Sequence, residues 1–293
     1  MAAWKTVTVP EGDTIFRSAR TLNAALRGQV VTSVSTTVPQ LRRAGVNRLV
    51  GQSVTDVEPR GKHLLHHFGP SGAVLHTHMR MSGSWHLYRP GERWRRPMWQ
   101  ATVVLDTAAW SAIGFSVPVC ELLTAAEAAV HPDLLSLGPD ALGARVDLDE
   151  VERRLAANPD RPIGEALLDQ RVLAGVGNVY KNEVLFLHAV DPWARVGDLD
   201  PAVRAALVAS SVQLLRANVA PGSPSRVTTS ADARAGRPGA NNRPGRDGDR
   251  LAVYGKRGRP CPRCGTAITS APQGTLQRRT WWCPTCQGPG PVM

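Results

Sequence analysis

The sequence, 293 residues long, lacks long hydrophobic runs, and its first residues do not have the pattern expected of a secretory leader. No uninterrupted apolar stretch approaches the roughly 20 residues that a transmembrane helix requires, so the sequence excludes a protein with helical membrane spans. The first nine residues, MAAWKTVTV, are too short and too mixed in polarity for a signal peptide. We therefore expect a cytoplasmic protein.

Acidic residues are scarce in the last quarter of the chain. From Arg216 onward, twelve Arg and one Lys face only three Asp, so this quarter carries a surplus of ten positive charges out of a net charge of +11. Such a surplus favours a polyanionic partner, and nucleic acid is the commonest polyanion. The alternative is a basic tail that only keeps the protein soluble.

Cysteines are also few, and four of the five form two CxxC pairs, Cys261/Cys264 and Cys283/Cys286. In a chain without a secretory signal, this spacing indicates a metal site more than disulfides. Four thiolates complete the tetrahedral shell of a structural zinc, and a module this small needs its metal to fold. We expect one structural Zn²⁺ and no diffusible cofactor. The remaining cysteine, Cys120, lies in an apolar stretch and is predicted to be inert core.

The residues before the second CxxC pair predict a basic β-hairpin. Arg278 and Arg279 precede the pair Trp281-Trp282 in this segment. A basic hairpin held rigid by zinc suits the DNA backbone or the minor groove. A ribbon that is purely structural, or that binds protein, is the alternative.

Hydrophobic patterning divides the chain into parts. After Pro10, apolar residues at helical spacing predict an amphipathic helix that stops at Gly28. Short Val/Thr/Leu-rich runs from about Val30 to Val119, separated by turn clusters, predict a β-sandwich or barrel. The predicted strand runs are VVTSVSTTV, RLVGQSVTDVE, HLLHHF, AVLHTHM, SWHLY and ATVVLD. From Leu148 four helix candidates follow: LDEVERRLAAN, PIGEALLDQ, NVYKNEVLFLH and DPAVRAALVASSVQLLRANV. Residues 221–250 are rich in Gly, Pro, Arg and Asn, which predicts a flexible basic loop.

The predicted fold class is therefore α+β with several domains. We expect a β-sandwich or barrel domain over residues 10–125, a connector over 126–147, a helical domain over 148–220, the basic loop over 221–250 and the zinc module over 251–287.

A glycine-rich turn, Gly175-Val176-Gly177-Asn178, separates two of the helix candidates. Glycines let backbone N–H groups approach a phosphate, and Asn178 is predicted to be the N-cap of the next helix, whose dipole favours an anion. Taken by itself, the turn is better interpreted as a simple helix cap.

Six segments together resemble one family. VPEGDT, RGKHL, HMRMSGSW, LLDQRVLAGVGNVYKNEVLF, LAVYGKRGRPC and the two CxxC pairs occur in the order and spacing of the Fpg/Nei family of DNA repair glycosylases. The resemblance runs from Pro10 to about Gln287. It implies an N-terminal β-sandwich, a helix–two-turns–helix domain and a zinc-finger hairpin. It also implies a monomeric enzyme of the bacterial nucleoid whose partner is damaged DNA, as duplex or as single-stranded or bubble substrate.

The resemblance also implies residue roles. Pro10 matches the N-terminal proline whose secondary amine attacks C1′ of the damaged nucleotide, and Glu11 matches the acid that shuttles protons during strand elimination. Lys62 matches a hairpin lysine that contacts phosphate and assists catalysis. The implied DNA-binding residues are Arg80 and Met81, on the wedge that fills the gap left by the everted base, together with Asn178, Lys256 and Arg278.

Two departures from the family pattern carry predictions. In the sequence as written the Pro10 nitrogen is acylated by Val9, and a valine GTG codon is a common bacterial start, so we expect translation from Val9 and removal of the initiator Met. A homologue that only senses damage is the alternative. A zinc-dependent regulator without a repair role is a third reading, but it leaves PEGDT and the lysine hairpin without a purpose.

The second departure concerns the lesion. The formamidopyrimidine branch carries RRFG and a lysine where this chain has AAWSAIGF and Gly164. The closer likeness is to endonuclease VIII of actinobacterial type, which implies oxidised pyrimidines, with 8-oxoguanine or formamidopyrimidine as the alternative substrate. Among the histidines, His76 and His78 share one face of a predicted strand and are interpreted as core residues, with His78 a minor candidate for the active site.

Overall fold

The computed structural model describes residues 10–220 and 251–291. The predicted basic loop over residues 221–250 and the segment before Pro10 lie outside the described residues. The chain divides into two compact units at Ser136/Leu137, which falls inside the predicted connector. Among the described residues, no helix combines the length and apolar character needed to cross a membrane.

The first unit is an antiparallel β-sandwich with a helix, α1 (Gly12–Leu26), on its side. One sheet has the strand order β1-β6-β7-β5 and the other β2-β3-β4-β8. Their bounds are β1 Val31–Thr36, β2 Ser53–Arg60, β3 His63–Gly69, β4 Ala73–His78, β5 Ser84–Tyr88, β6 Ala101–Thr107, β7 Ser111–Phe115 and β8 Val119–Leu123. Short helices α2 (Pro39–Arg43), α3 (Ala125–Ala129) and α4 (Pro132–Leu135) complete this unit. The predicted sandwich is confirmed.

Two strands, β7 and β8, were not predicted. The β7 sequence SAIGF contains Ala and Gly, which have low strand propensity. Gly114 is closely packed there, since a Cβ would lie 3.0 Å from a Val103 methyl and 3.3 Å from the Trp85 ring. Conversely, part of the predicted strand run around Arg48 is a 3₁₀ helix, Val46–Leu49, whose two terminal apolar side chains enter the core.

The second unit holds the helices and the cysteine module. Helices α5 (Leu148–Ala156), α7 (Asn178–Leu187) and α8 (Pro201–Val219) follow the predicted segments, whereas the predicted helix PIGEALLDQ contracts to one turn, α6 (Ile163–Ala166). The hairpin β9 (Thr269–Gln273) and β10 (Arg278–Trp282) and the turn α9 (Pro284–Gln287) form the C-terminal module.

A buried carboxylate on α7 joins the helical part of this unit to the cysteine module. Glu183 has no exposed surface. Its carboxylate accepts hydrogen bonds from the backbone N–H groups of Ala252, Val253 and Tyr254 at 2.6, 2.9 and 2.8 Å. An ionised acceptor makes such bonds stronger than a neutral one does. The segment that leads into the first CxxC pair is therefore held by α7.

The two preceding residues of α7 make further links. The Asn182 Oδ1 accepts the Trp281 backbone N–H at 2.7 Å. The buried Lys181 ammonium donates to the Thr280 hydroxyl at 2.5 Å and to the Gln273 side-chain oxygen at 3.4 Å. One face of α7 thus fixes the hairpin that carries Arg278.

We expect Glu183→Gln to lower the free energy of unfolding by about 1–3 kcal/mol, because an amide N–H₂ would face backbone donors and leave a buried group unsatisfied. Urea denaturation at neutral pH measures this loss. Glu150→Gln is the matched control, since Glu150 lies on the surface of α5 with Arg153 and Arg154 as partners. Equal stability of the two variants would contradict the assigned role of Glu183.

Candidate functional site

The predicted catalytic residues converge at one end of the sandwich. Helix α1 runs antiparallel to β2, since Gly28 N–H donates to Val54 O and Asn23 Oδ1 accepts from Val57 N–H. The helix from Asn23 back to its start covers about 16 Å and the strand from Val57 to the β2–β3 turn about 13 Å. The start of α1 therefore lies at the same end of the sheet as that turn, Gly61-Lys62.

Pro10 and Glu11 form the start of α1. Glu11 is the N-cap residue and is only 1% exposed, while Pro10 is half-buried directly before it. The partial positive charge of a helix N-terminus stabilises a carboxylate and disfavours protonation of a nearby amine. A free amine at Pro10 would consequently be favoured in its neutral, nucleophilic form.

Lys62 lies in a two-residue turn between β2 and β3. The turn needs a left-handed residue, which Gly61 supplies at φ 58°. Next along the chain, His63 pairs across the sheet with His78, and the two rings meet edge to face at 4.6 Å. Burial lowers the pKa of His63 to about 2 and that of His78 to about 4. Lys62 thus stands beside two imidazoles that are neutral at pH 7.

The loop between β4 and β5 presents the predicted wedge residues. Arg80 adopts a left-handed conformation, φ 47°, and its backbone N–H donates to His78 Nδ1 at 2.9 Å. Gly83 closes the loop on Met79, where a Cβ would lie only 2.8 Å from backbone atoms. Met81 is 44% exposed at the tip. Because β4 ends beside the start of β3, this tip lies at the same edge as Lys62.

In the second unit the structure brings Asn178 to the hairpin of the cysteine module. The N-cap of α7 is Gly177 and Asn178 is the first helical residue, so the predicted N-cap was one residue too late. The Asn178 side chain instead donates to the Arg279 carbonyl at 2.9 Å. Arg278, at the start of β10, adjoins that contact. Two residues a hundred positions apart therefore occupy one surface.

Sequence reasoning missed Gln170, which holds the glycine-rich turn. Its side-chain oxygen accepts the Gly175 N–H at 3.0 Å, and its amide donates to the carbonyls of Leu168 and Val176 at 2.8 and 2.9 Å. An open cleft of about 450 Å³ lies alongside, lined by Gln170, Arg161, Arg171 and Arg278 among others. No local pattern marks a glutamine whose partners lie five and six residues ahead.

Lys256 belongs to the segment before the first CxxC pair. Its ammonium donates to the Leu251 carbonyl, and its side chain is half-buried. That contact closes the 251–256 loop on itself, so Lys256 shapes the loop as well as adding charge to it.

The four predicted metal ligands lie together. The sulfurs of Cys261 and Cys286 are 3.9 Å apart and those of Cys264 and Cys283 are 3.5 Å apart. All four ligand atoms lie within 4.8 Å of one another. Sulfurs around a tetrahedral zinc at about 2.3 Å are about 3.8 Å apart, so the cluster fits that ion. Four thiolates would fill the tetrahedral shell of such an ion and leave no position for a substrate.

Two domain families match this chain. The formamidopyrimidine-DNA glycosylase N-terminal domain matches residues 9–114, and the formamidopyrimidine-DNA glycosylase H2TH domain matches residues 137–229. A probable endonuclease 8 2 of Streptomyces coelicolor is 46% identical, over 97% of this chain and 96% of that protein. The chain belongs to the formamidopyrimidine-DNA glycosylase/endonuclease VIII family.

Other members of the family extend the likeness. The DNA-(apurinic or apyrimidinic site) lyase Nei2 of Mycolicibacterium smegmatis is 40% identical, over 95% of this chain and 99% of that protein. The Lactococcus lactis formamidopyrimidine-DNA glycosylase, solved with DNA containing an AP site, superposes with a TM-score of 0.75 at 25% identity, covering 94% and 99% of the two chains. Both likenesses span the β-sandwich, the helical domain and the cysteine module.

Two positions differ from the formamidopyrimidine branch, AAWSAIGF and Gly164, and the structure shows the surroundings of each. The segment AAWSAIGF forms the end of a turn and strand β7. At Gly164 a Cβ would lie 2.5 Å from the Gln273 side-chain oxygen and 2.9 Å from the Pro192 carbonyl oxygen, so a larger residue here requires these groups to shift.

Proposed function

We propose that this protein is a bifunctional DNA glycosylase/AP lyase that removes oxidised pyrimidines through a Schiff base on Pro10. The observation that carries the proposal is the convergence of Pro10, Glu11 and Lys62 at one end of the sandwich. A covalent intermediate divides a difficult displacement into easier steps, and a secondary amine beside an acid is suited to forming one.

The steps of the proposed reaction are as follows. The Pro10 nitrogen lone pair bonds to C1′, the C1′–base bond breaks, and the base leaves with a proton. Glu11 moves the proton that opens the sugar ring to an iminium. Loss of a C2′ proton then expels the 3′ phosphate, and water hydrolyses the iminium to regenerate the amine. Lys62 holds a DNA phosphate during these steps.

The Pro10 nitrogen must be free for this chemistry, because an acylated proline nitrogen has no lone pair to donate. We propose that translation starts at Val9, or that processing has the same effect. The match to the N-terminal domain family begins at that residue, which supports the proposal.

DNA recognition follows from charge and shape. A base within a duplex must be everted before C1′ can be attacked, at a cost of a few kcal/mol that damage lowers. Met81 and Arg80 are proposed to fill the vacated space. Asn178, Arg278 and Lys256 are proposed to bind phosphates, with one Zn²⁺ holding the hairpin, in duplex or single-stranded substrates of the bacterial nucleoid.

We expect cleavage of thymine glycol or 5-hydroxyuracil to exceed that of 8-oxoguanine paired with cytosine by at least about tenfold, or about 1.4 kcal/mol of transition-state discrimination. The closed space at Gly164 and the replacement of RRFG by β7 support this preference. Single-turnover cleavage of matched duplexes measures it, with an undamaged duplex as the control. A clear preference for 8-oxoguanine would assign the protein to the alternative substrate class.

A damage sensor without catalytic activity is the second candidate function. The observation that favours it is the Val9–Pro10 peptide bond in the sequence as written. Such a protein would bind lesion DNA with the same surfaces and leave the strand intact.

A further inference from the structure

We propose that His76, Glu121 and His131 form a second metal site, for a divalent first-row transition ion, in the β-sandwich unit. His76 on β4 and Glu121 on β8 are direct partners in the sheet. His131 is the N-cap residue of α4 and folds back over them. This cluster is separate from the four cysteines, which belong to the second unit.

Both imidazoles approach the same carboxylate oxygen. Glu121 Oε2 lies 2.8 Å from His76 Nδ1 and 3.2 Å from His131 Nε2. The centres of the two rings are 4.9 Å apart and their planes are inclined at 65°. Two imidazoles that bind one zinc at 2.0–2.1 Å have ring centres about 5 Å apart, so the pair is already aimed at a common point.

The donor set and its exposure suit a catalytic-type ion more than a closed structural one. Two histidines and one carboxylate leave coordination positions open, as in zinc hydrolases and non-haem iron enzymes. The His76 side chain is fully buried, whereas the Glu121 side chain is 43% exposed. An ion can therefore enter from the Glu121 side and keep solvent there.

A second shell is in place on the buried side. His76 Nε2 lies 2.8 Å from His63 Nδ1. Histidines that bind metals usually donate their other N–H to an acceptor, which orients the ring and strengthens the ligand. His63 supplies that acceptor, and it is the residue next to Lys62.

Metal binding would reverse the tautomers along this chain of histidines. Without an ion, His76 Nδ1–H donates to Glu121, so Nε2 must accept from His63 Nδ1–H. With an ion on Nδ1, the proton of His76 moves to Nε2 and His63 Nδ1 becomes the acceptor. Whether an ion is bound therefore decides which nitrogen of His63, the residue next to Lys62, carries the proton.

A missing hydrogen bond at His131 limits the affinity of the site for the ion. His131 Nδ1 is buried and has no hydrogen-bond partner among the described residues. When Nε2 binds the ion, Nδ1 must carry a proton without an acceptor, which costs free energy. We therefore expect binding weaker than at the four cysteines, in the micromolar range.

The test uses the full chain with one Zn²⁺ already bound at the cysteines, verified by metal analysis. We expect Zn²⁺ titration to show a second equivalent. Co²⁺ at this second site should give weak visible bands without the intense near-ultraviolet thiolate charge transfer of a cysteine site. Nitrogen-15 NMR should show the His76 proton moving from Nδ1 to Nε2 on binding.

His131→Ala and Glu121→Gln should weaken the second equivalent by more than the roughly 10- to 100-fold that outer-shell changes cost. His67→Ala is the matched control, because it removes a half-exposed His–Glu pair on the neighbouring strand. This variant should still bind two equivalents of Zn²⁺. Thermal melting verifies that each variant is folded. Absence of a second equivalent in the unaltered protein, equal binding by His131→Ala and His67→Ala, or a His76 proton that stays on Nδ1 would each overturn the proposal. None of these readouts depends on glycosylase activity.

Discussion

A form of the protein that begins at Pro10 should form a covalent adduct with lesion DNA under borohydride, whereas the form that begins at Met1 should not. Borohydride reduces a Schiff base to a stable amine, and only a nitrogen with a free lone pair forms that base. Loss of the nucleophile should lower the rate of strand cleavage by about 10³-fold or more. Residues that act together in catalysis lose nearly all of their effect when one of them is removed. Denaturing gels measure both the adduct and the cleavage.

Two observations make this test decisive. Peptide mapping of the adduct should place the reduced DNA on Pro10, and intact mass of protein from its native cells should show which form exists. If the form with MAAWKTVTV retained cleaves at full rate, the assignment of the nucleophile to Pro10 is wrong. If native protein retains that segment and traps no DNA, the damage-sensor function is the correct one.

Removal of the metal from the four cysteines should abolish tight DNA binding. Structural zinc contributes about 10–16 kcal/mol to small zinc modules, so Cys261→Ser should unfold the hairpin that carries Arg278 and holds Asn178. We expect the affinity for lesion DNA to fall at least about 100-fold, or about 2.8 kcal/mol. Fluorescence anisotropy on a labelled duplex measures the change.

Cys120→Ala is the matched control for this experiment. Cys120 is buried in the β-sandwich, where burial raises the pKa of its thiol to about 12, so it remains protonated. Its removal should leave DNA affinity and metal content unchanged. DNA affinity of Cys261→Ser equal to that of Cys120→Ala would show that the hairpin does not bind DNA.

Some parts of the site could be predicted because their information is local. Metal-ligand spacing within each CxxC pair is set by one turn of chain, and the structure brings the four predicted cysteines into one cluster that could hold a metal ion. Short apolar runs between turns predicted a β-sandwich or barrel, and the resemblance to the family implied the sandwich. Strand β7 was not predicted, because it contains small residues of low strand propensity. Its close packing against Val103 and Trp85 is visible only in the structure.

Other parts depend on partners distant in sequence. In the sequence, nothing distinguishes Glu183 from other helical glutamates. In the structure its carboxylate accepts hydrogen bonds from three backbone N–H groups about seventy residues away. His76 was interpreted as a core histidine. Only the register of β4 with β8 places it against Glu121, and only the fold of α4 adds His131.

The amino-acid sequence by itself determined the family, the four-cysteine cluster and the β-sandwich, because motifs and periodicity are properties of neighbouring residues. Only the tertiary structure decided that the start of α1, the lysine turn and the Met81 loop share one edge of the sheet. It also decided that the imidazoles of His76, on β4, and His131, at the start of α4, both approach one carboxylate oxygen of Glu121 on β8. Strand register and helix direction set these distances, and both are outcomes of packing over the whole unit.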